Sequence, residues 1–205
     1  MPASAGSSGS LSEALEPLYR GYLRRLEEMV SRLPSGAALT ERTSRDAEGR
    51  LVLGSAGLPV RFDVADARDG HTWEVHGARP DEPAASDVRV GNLEVRLQPG
   101  NWEELPVVCA FERDPSPEEV EELADLLRGF TTLAWHGGFA AAQPAKGRWL
   151  GRAHGIQVEL RGRELWAVLD LGTCPPSAVE SLCAALSGYG EVRAPLSYVR
   201  MGGKP

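Results

Sequence analysis

Three of the four histidines, His76, His136 and His154, are each followed by glycine at the end of a predicted strand. Strands ending at one sheet edge could gather these imidazoles for acid–base work or metal binding, because imidazole titrates near neutrality and its nitrogens ligate metals. The commoner role of a His-Gly pair at such a place is turn chemistry, since glycine takes the positive φ that tight turns require. His71 and His76 share a predicted strand but point to opposite faces, which counts against a cluster. Trp135-His136-Gly137-Gly138-Phe139 brings together an aromatic, a titratable group and a pliable backbone. With His154 it supplies the residues of one reading: a small-molecule enzyme or ligand-binding domain with its pocket between two halves of the chain. There is no GxGxxG after a strand and no P-loop, HExxH, CxxC or GxSxG, so no nucleophile is assigned and no cofactor or metal is expected.

Contact chemistry is the other possibility. Five tryptophans, Trp73, Trp102, Trp135, Trp149 and Trp166, could line a cleft, although tryptophan more often serves the core. Trp102 differs because it sits in the turn Gln98-Pro-Gly-Asn-Trp-Glu-Glu104 beside two carboxylates, as a contact residue would. On a predicted helix, Glu118, Glu121, Glu122 and Asp125 make one face acidic, relieved by Arg128. A solvated face is the ordinary reading. The sharper one is a docking surface for a basic partner, since complementary charge speeds encounter and selects partners.

Those side chains need elements to hold them. From Leu11 to Leu33 the apolar residues Leu11, Leu15, Leu18, Tyr22, Leu26, Met29 and Leu33 step by three or four, which predicts a long amphipathic helix. Pro17 either begins its regular part or kinks it. Pro34-Ser-Gly36 ends it. The acidic helix opens with a capping box, Ser116 and Glu119 around Pro117, and Gly129 is placed to close it. A segment 59 residues further on echoes it: Pro117, Val120, Glu121, Leu123, Leu127 and Gly129 recur as Pro176, Val179, Glu180, Leu182, Leu186 and Gly188. Six identities over this stretch compare with roughly one expected from average residue usage. The second helix is small-sided, which suits packing against the N-terminal helix or another copy of the chain through residues 176–186.

Each of these two helices follows two strand candidates, Leu93–Leu97 with Leu105–Phe111 and Ile156–Leu160 with Leu165–Leu171. In each pair the first strand has one polar face, while the second is apolar on nearly every residue, as a strand covered on both sides reads. A further strand is expected after each helix, at Thr131–Trp135 and at Leu196–Met201. The fold class is therefore α+β: duplicated ββαβ units in a mostly antiparallel sheet, or two related sheets, with helices packed on it and an N-terminal amphipathic helix. The expected organisation is a disordered tail at 1–10, the helix and a β-meander at 11–79, and the two units at 87–139 and 148–205. Short strands at 51–53, 60–64 and 72–76, with turns at 54–57 and 68–70, make the meander. Polar linkers fall at 79–86 and 140–147, and Trp149-Leu150 begins another short strand. Residues 11–205 are expected to form one compact unit.

Bulk properties narrow the function. The 205 residues carry 22 basic and 29 acidic side chains, a net charge of −7, and 42% of them are hydrophobic. Neutralising phosphates takes clustered Lys and Arg, so nucleic acid is not expected as a partner. Cys109, Cys174 and Cys183 have neither metal-ligand spacing nor an even count, which predicts reduced thiols and a cytoplasmic address. No apolar run reaches the ~20 residues of a membrane span. The resulting expectation is a non-enzymatic binding protein, such as a bacterial immunity protein, adaptor or secretion chaperone. It would mask a basic partner through Glu118, Glu121, Glu122 and Asp125, with Trp102 and Trp135 as anchors.

Overall fold

The computed structural model describes residues 9–33, 37–53, 60–66, 68–75, 79–139 and 151–204, with only the backbone of 37–42 and 61. Residues 1–8 of the expected tail, the turns at 34–36 and 54–57, His76, the linker at 140–147 and Trp149-Leu150 lie outside them.

Helix α1 spans Leu11–Arg32 and starts from a capping box: the Ser10 hydroxyl accepts from the Glu13 amide while the Glu13 carboxylate accepts from the Ser10 amide. The helix thus begins at Leu11, as its apolar spacing predicts, with Ser10, the last residue of the expected tail, serving as its cap. The helix runs through Pro17 and does not begin there. An interior proline costs about 3 kcal/mol, whereas each of the buried Leu11, Leu15, Leu18, Tyr22 and Leu26 contributes about 1.5–3 kcal/mol. Burial outweighs the break.

Helix α2 spans Pro117–Trp135, capped by Ser116 and Glu119 as the sequence requires, but it does not stop at Gly129. Thr131–Trp135 are helical and form no strand. Phe130, Thr131 and Ala134 continue the buried stripe of Leu123 and Leu127, and the Thr131 and Thr132 hydroxyls bond the carbonyls of Leu127 and Arg128. Together these outweigh the roughly 1 kcal/mol that a glycine costs inside a helix. The terminating residue is Gly137, at φ +76°, so the His136-Gly137 pair performs turn chemistry. Helix α3, Pro176–Val192, likewise passes through Gly188.

Strands β1 (Ala37–Thr43), β2 (Arg61–Asp66) and β3 (Thr72–Trp73) form an antiparallel meander in that order. Its first strand is β1, which the sequence did not mark; Leu51 only bridges Arg45. The main sheet has six strands, β4 (Asp87–Val90), β5 (Leu93–Leu97), β6 (Leu105–Phe111), β7 (Gly155–Arg161), β8 (Glu164–Asp170) and β9 (Leu196–Met201), in the order β4-β5-β9-β6-β8-β7. All its pairs are antiparallel except β5 with β9. A mostly antiparallel α+β fold with three helices is therefore observed among the described residues. The pairing within the two units differs: β7 and β8 are neighbours, whereas β9 inserts between β5 and β6.

Strand β6 is buried at all seven residues, yet among the described residues helices cover only one of its faces. Leu105, Val107, Cys109 and Phe111 enter a single core with α1, α2 and α3. Helix α3 lies between α1 and α2: Glu180 accepts from the hydroxyl and amide of Ser12, and the Tyr189 hydroxyl donates to the Glu119 carbonyl at 2.6 Å. The three cysteines are buried and form no disulfide among the described residues, and burial pushes the Cys109 thiol up to about 12.

Gly129 has no atom within 4 Å of where a Cβ would sit. Gly129→Ala should therefore raise stability by about 0.5–1 kcal/mol, measured by denaturant titration. A loss of stability would mean that the residue takes a left-handed conformation and that the helix ends where the sequence first placed its end.

Candidate functional site

Side chains alternate across a strand, so the residues that point away from the helices can be listed by register. Beside Pro106, Val108 and Ala110 of β6 lie Val168, Trp166 and Glu164 of β8 on one side, and Arg200 and Tyr198 of β9 on the other. Glu94 and Arg96 of β5 and Gln157, Glu159 and Arg161 of β7 extend this face outward. Among the described residues no helix packs on it. The face is nevertheless ordered. The Arg96 guanidinium lies 4.0 Å from the centre of the Tyr198 ring, and Arg161 and Arg200 lie 4.7 and 5.0 Å from that of Trp166. Glu164 accepts hydrogen bonds from the Trp166 indole and the Tyr198 hydroxyl, each at 3.0 Å.

Arg200 and Trp166 flank Val108 in register, so the contact between them closes over it, and Val108 is 0% exposed. Burial, together with the hydrogen bond to Glu164, pushes the Tyr198 phenol up and keeps it a donor at neutral pH. Arg96 is paired with Glu94 at 2.6 Å and Arg161 with Glu159 at 2.8 Å. Arg200 bonds the Gly202 carbonyl and has no carboxylate partner among the described residues. At the foot of the face Pro106, Val168, Gly203 and the 98–104 loop enclose a pocket of about 680 Å³.

The residues singled out from sequence are placed differently. Trp102 is wholly buried, its ring 5.6 Å from that of Tyr19, so it contacts α1 and not a partner. Its loop is pulled inward because Arg25 pairs with both Asp81 and Glu103, at 2.7 and 3.0 Å. Trp135 is half-buried in the last turn of α2, and the five residues from Trp135 to Phe139 form a helix end, with Phe139 packed on Phe130. His136 is exposed at that end, whereas the His154 imidazole is buried with Nδ1 3.2 Å from Asp170. His71 packs edge-on against Trp73.

Glu118, Glu121 and Asp125 are exposed on α2 and Glu122 is half-buried, as an outward acidic face requires. Its charge is partly cancelled from within: Arg128 pairs with Glu121 and Asp125 at 2.9 Å each, and Arg193 pairs with Glu122. Among the described residues no group of three or more His, Cys, Asp or Glu side chains could hold a metal, and no helix is long and apolar enough to cross a membrane. Comparison of the chain with known protein families, with curated proteins and with solved structures found no match.

Hydrogen bonds from Arg113, then that from the Ser116 amide, hold the Glu119 carboxyl at about 2, below its ordinary 4.5. A depressed carboxylate stabilises the fold at neutral pH, and this contribution falls away as pH drops from 4.5 toward about 2. Glu119→Gln should thus be less stable than the parent at neutral pH, with the gap narrowing below about pH 4 in urea titrations. A gap independent of pH would contradict the assignment.

Proposed function

We propose that the protein is non-enzymatic and works by binding another protein, as a bacterial immunity protein, an adaptor or a secretion chaperone does, docking through the open face of its large sheet. What carries this reading is the group of Trp166, Tyr198, Arg96, Arg161 and Arg200, held on strands with no described element over them. Tryptophan, tyrosine and arginine supply most of the energy in measured protein interfaces. Their mutual packing lowers the ordering cost of association.

Three observations weigh against other partners and mechanisms. Glu94, Glu159 and Glu164 stand among the arginines and would repel phosphates, which disfavours a nucleic acid. A site using His136 and His154 gains no support from one exposed imidazole and one buried imidazole that contacts Asp170. Self-association through 176–186 competes with the contacts that α3 already makes to α1 and α2. Masking of a basic partner by α2 remains the secondary element, with Glu118 contributing an acid outside the ion pairs and the whole chain contributing its charge of −7. Kinship between 87–139 and 148–205 is also part of the proposal. It rests on the six identities and the shared strand, strand, helix order.

Paired variants in an affinity capture test the reading. Trp166→Ala with Tyr198→Ala should weaken retention of a captured partner at least about tenfold, as expected for the loss of central aromatic contacts. Lysine at 118, 121 and 125 should alter mainly its salt dependence. Retention unchanged by the aromatic pair but abolished by the lysines would transfer the site to α2. Indifference to both sets would remove the protein-docking reading.

A further inference from the structure

The open face carries a charge left without a partner, which bears on what it binds. Arg96 and Arg161 each have a carboxylate, whereas Arg200, between them and at the centre, has only a backbone carbonyl and the Trp166 ring among the described residues. Next to it, one step further along the strands, lies the pocket floored by Pro106 and Val168, whose charged rim residues Glu104 and Lys204 offset each other. The guanidinium reaches along the strand to the pocket wall: it bonds the Gly202 carbonyl, and one of its nitrogens lies 2.9 Å from where a Cβ on Gly203, which lines the pocket, would sit.

Resting on the docking face proposed above, we infer that the partner presents an extended acidic segment. An Asp or Glu side chain pairs with Arg200, and a large apolar side chain close to it in the same segment fills the Pro106–Val168 pocket. One unpaired cation ringed by carboxylates suits a single negative charge, which a side-chain carboxylate supplies and a phosphate dianion exceeds. A chain-terminal carboxylate is normally captured by backbone amides. Gly202 and Gly203 adjoin the pocket with positive φ, but their amides already donate to the Pro106 and Pro99 carbonyls. No backbone nest remains there for a terminus.

The test selects a random library of linear peptides, amidated at the C-terminus, on the full chain, with depletion on Trp166→Ala. Binders should share an acidic residue with Leu, Ile, Met or Phe close to it in sequence. Their affinity should fall about tenfold in Arg200→Gln and less in Arg200→Lys, which keeps the charge but loses the planar stack on Trp166. Arg89→Gln, which removes an exposed arginine at the sheet edge, should bind as the parent does. Melting curves of all variants establish that each is folded. Trp166-dependent binders with no acidic residue, or with equal affinity for Arg200→Gln, overturn this inference and leave the docking face standing. Failure to obtain any Trp166-dependent binder overturns both.

Discussion

Covering a sheet on one side only is the constraint from which the rest of this structure follows. Helices α1, α2 and α3 all pack on the same face, and among the described residues no second layer of secondary structure covers Val108 and Ala110 of the central strand. Both are still buried, with Trp166 and Arg200 flanking Val108 in register and Glu164 and Tyr198 flanking Ala110. Arginine suits this task, since its aliphatic stem covers apolar surface while its guanidinium stacks on an aromatic ring. Each such stack contributes about 0.5–1 kcal/mol where exposed and about 2 where desolvated. Trp166 receives two of them, Tyr198 one, and Glu164 ties the two aromatic rings together. The layer that replaces a missing set of helices is thus built from the residue types that proteins use to bind one another.

The helix side fixes the edge of that surface. Arg25, on α1, reaches Asp81 and Glu103, and the chain on either side of those acids forms a wall of the pocket through Pro80, Asn101 and Glu104. Gly21 permits this approach, since a Cβ there would lie 2.1 Å from the Asp81 carboxylate. Ion pairs with one member buried add little net stability but fix geometry, because removing one partner leaves the other desolvated. The N-terminal helix therefore positions a loop that opens on the opposite side of the sheet. His154 and Asp170 act in a comparable way within the core, where Gly172 at φ +47° leaves room for the imidazole.

Local signals carried much of the architecture. Helix starts were legible because capping boxes are local: Ser116 with Glu119 was read directly, and Ser10 with Glu13 has the same spacing. The end of α1 at Arg32, just ahead of Pro34, is legible too, whereas those of α2 and α3 are not, since Gly129 and Gly188 are overridden by tertiary burial of the residues that follow them. Strand β4 was missed although Val88 and Val90, the Gly91-Asn92 turn and then Leu93 and Val95 make a hairpin pattern. The polar face of β5 was read correctly. Its meaning was not, because the site exists only once β9 inserts between β5 and β6, placing Arg200 and Tyr198 beside Trp166 from residues more than thirty positions away in sequence. An apolar run such as Leu105–Phe111 cannot tell a helix layer from a layer of arginines. Trp102 read as a contact residue because its sequence neighbours are polar, while the Arg25 pairs that draw its loop inward are distant in sequence.

Hydroxyl-radical footprinting of the native chain, read by mass spectrometry, addresses the one-sided cover most directly. Trp166 and Tyr198 should be oxidised readily, while Trp102 and Tyr22, which are 0% exposed, should be protected until the chain unfolds. Protection of Trp166 equal to that of Trp102 would show that the sheet is covered on both faces and that the surface described here is interior.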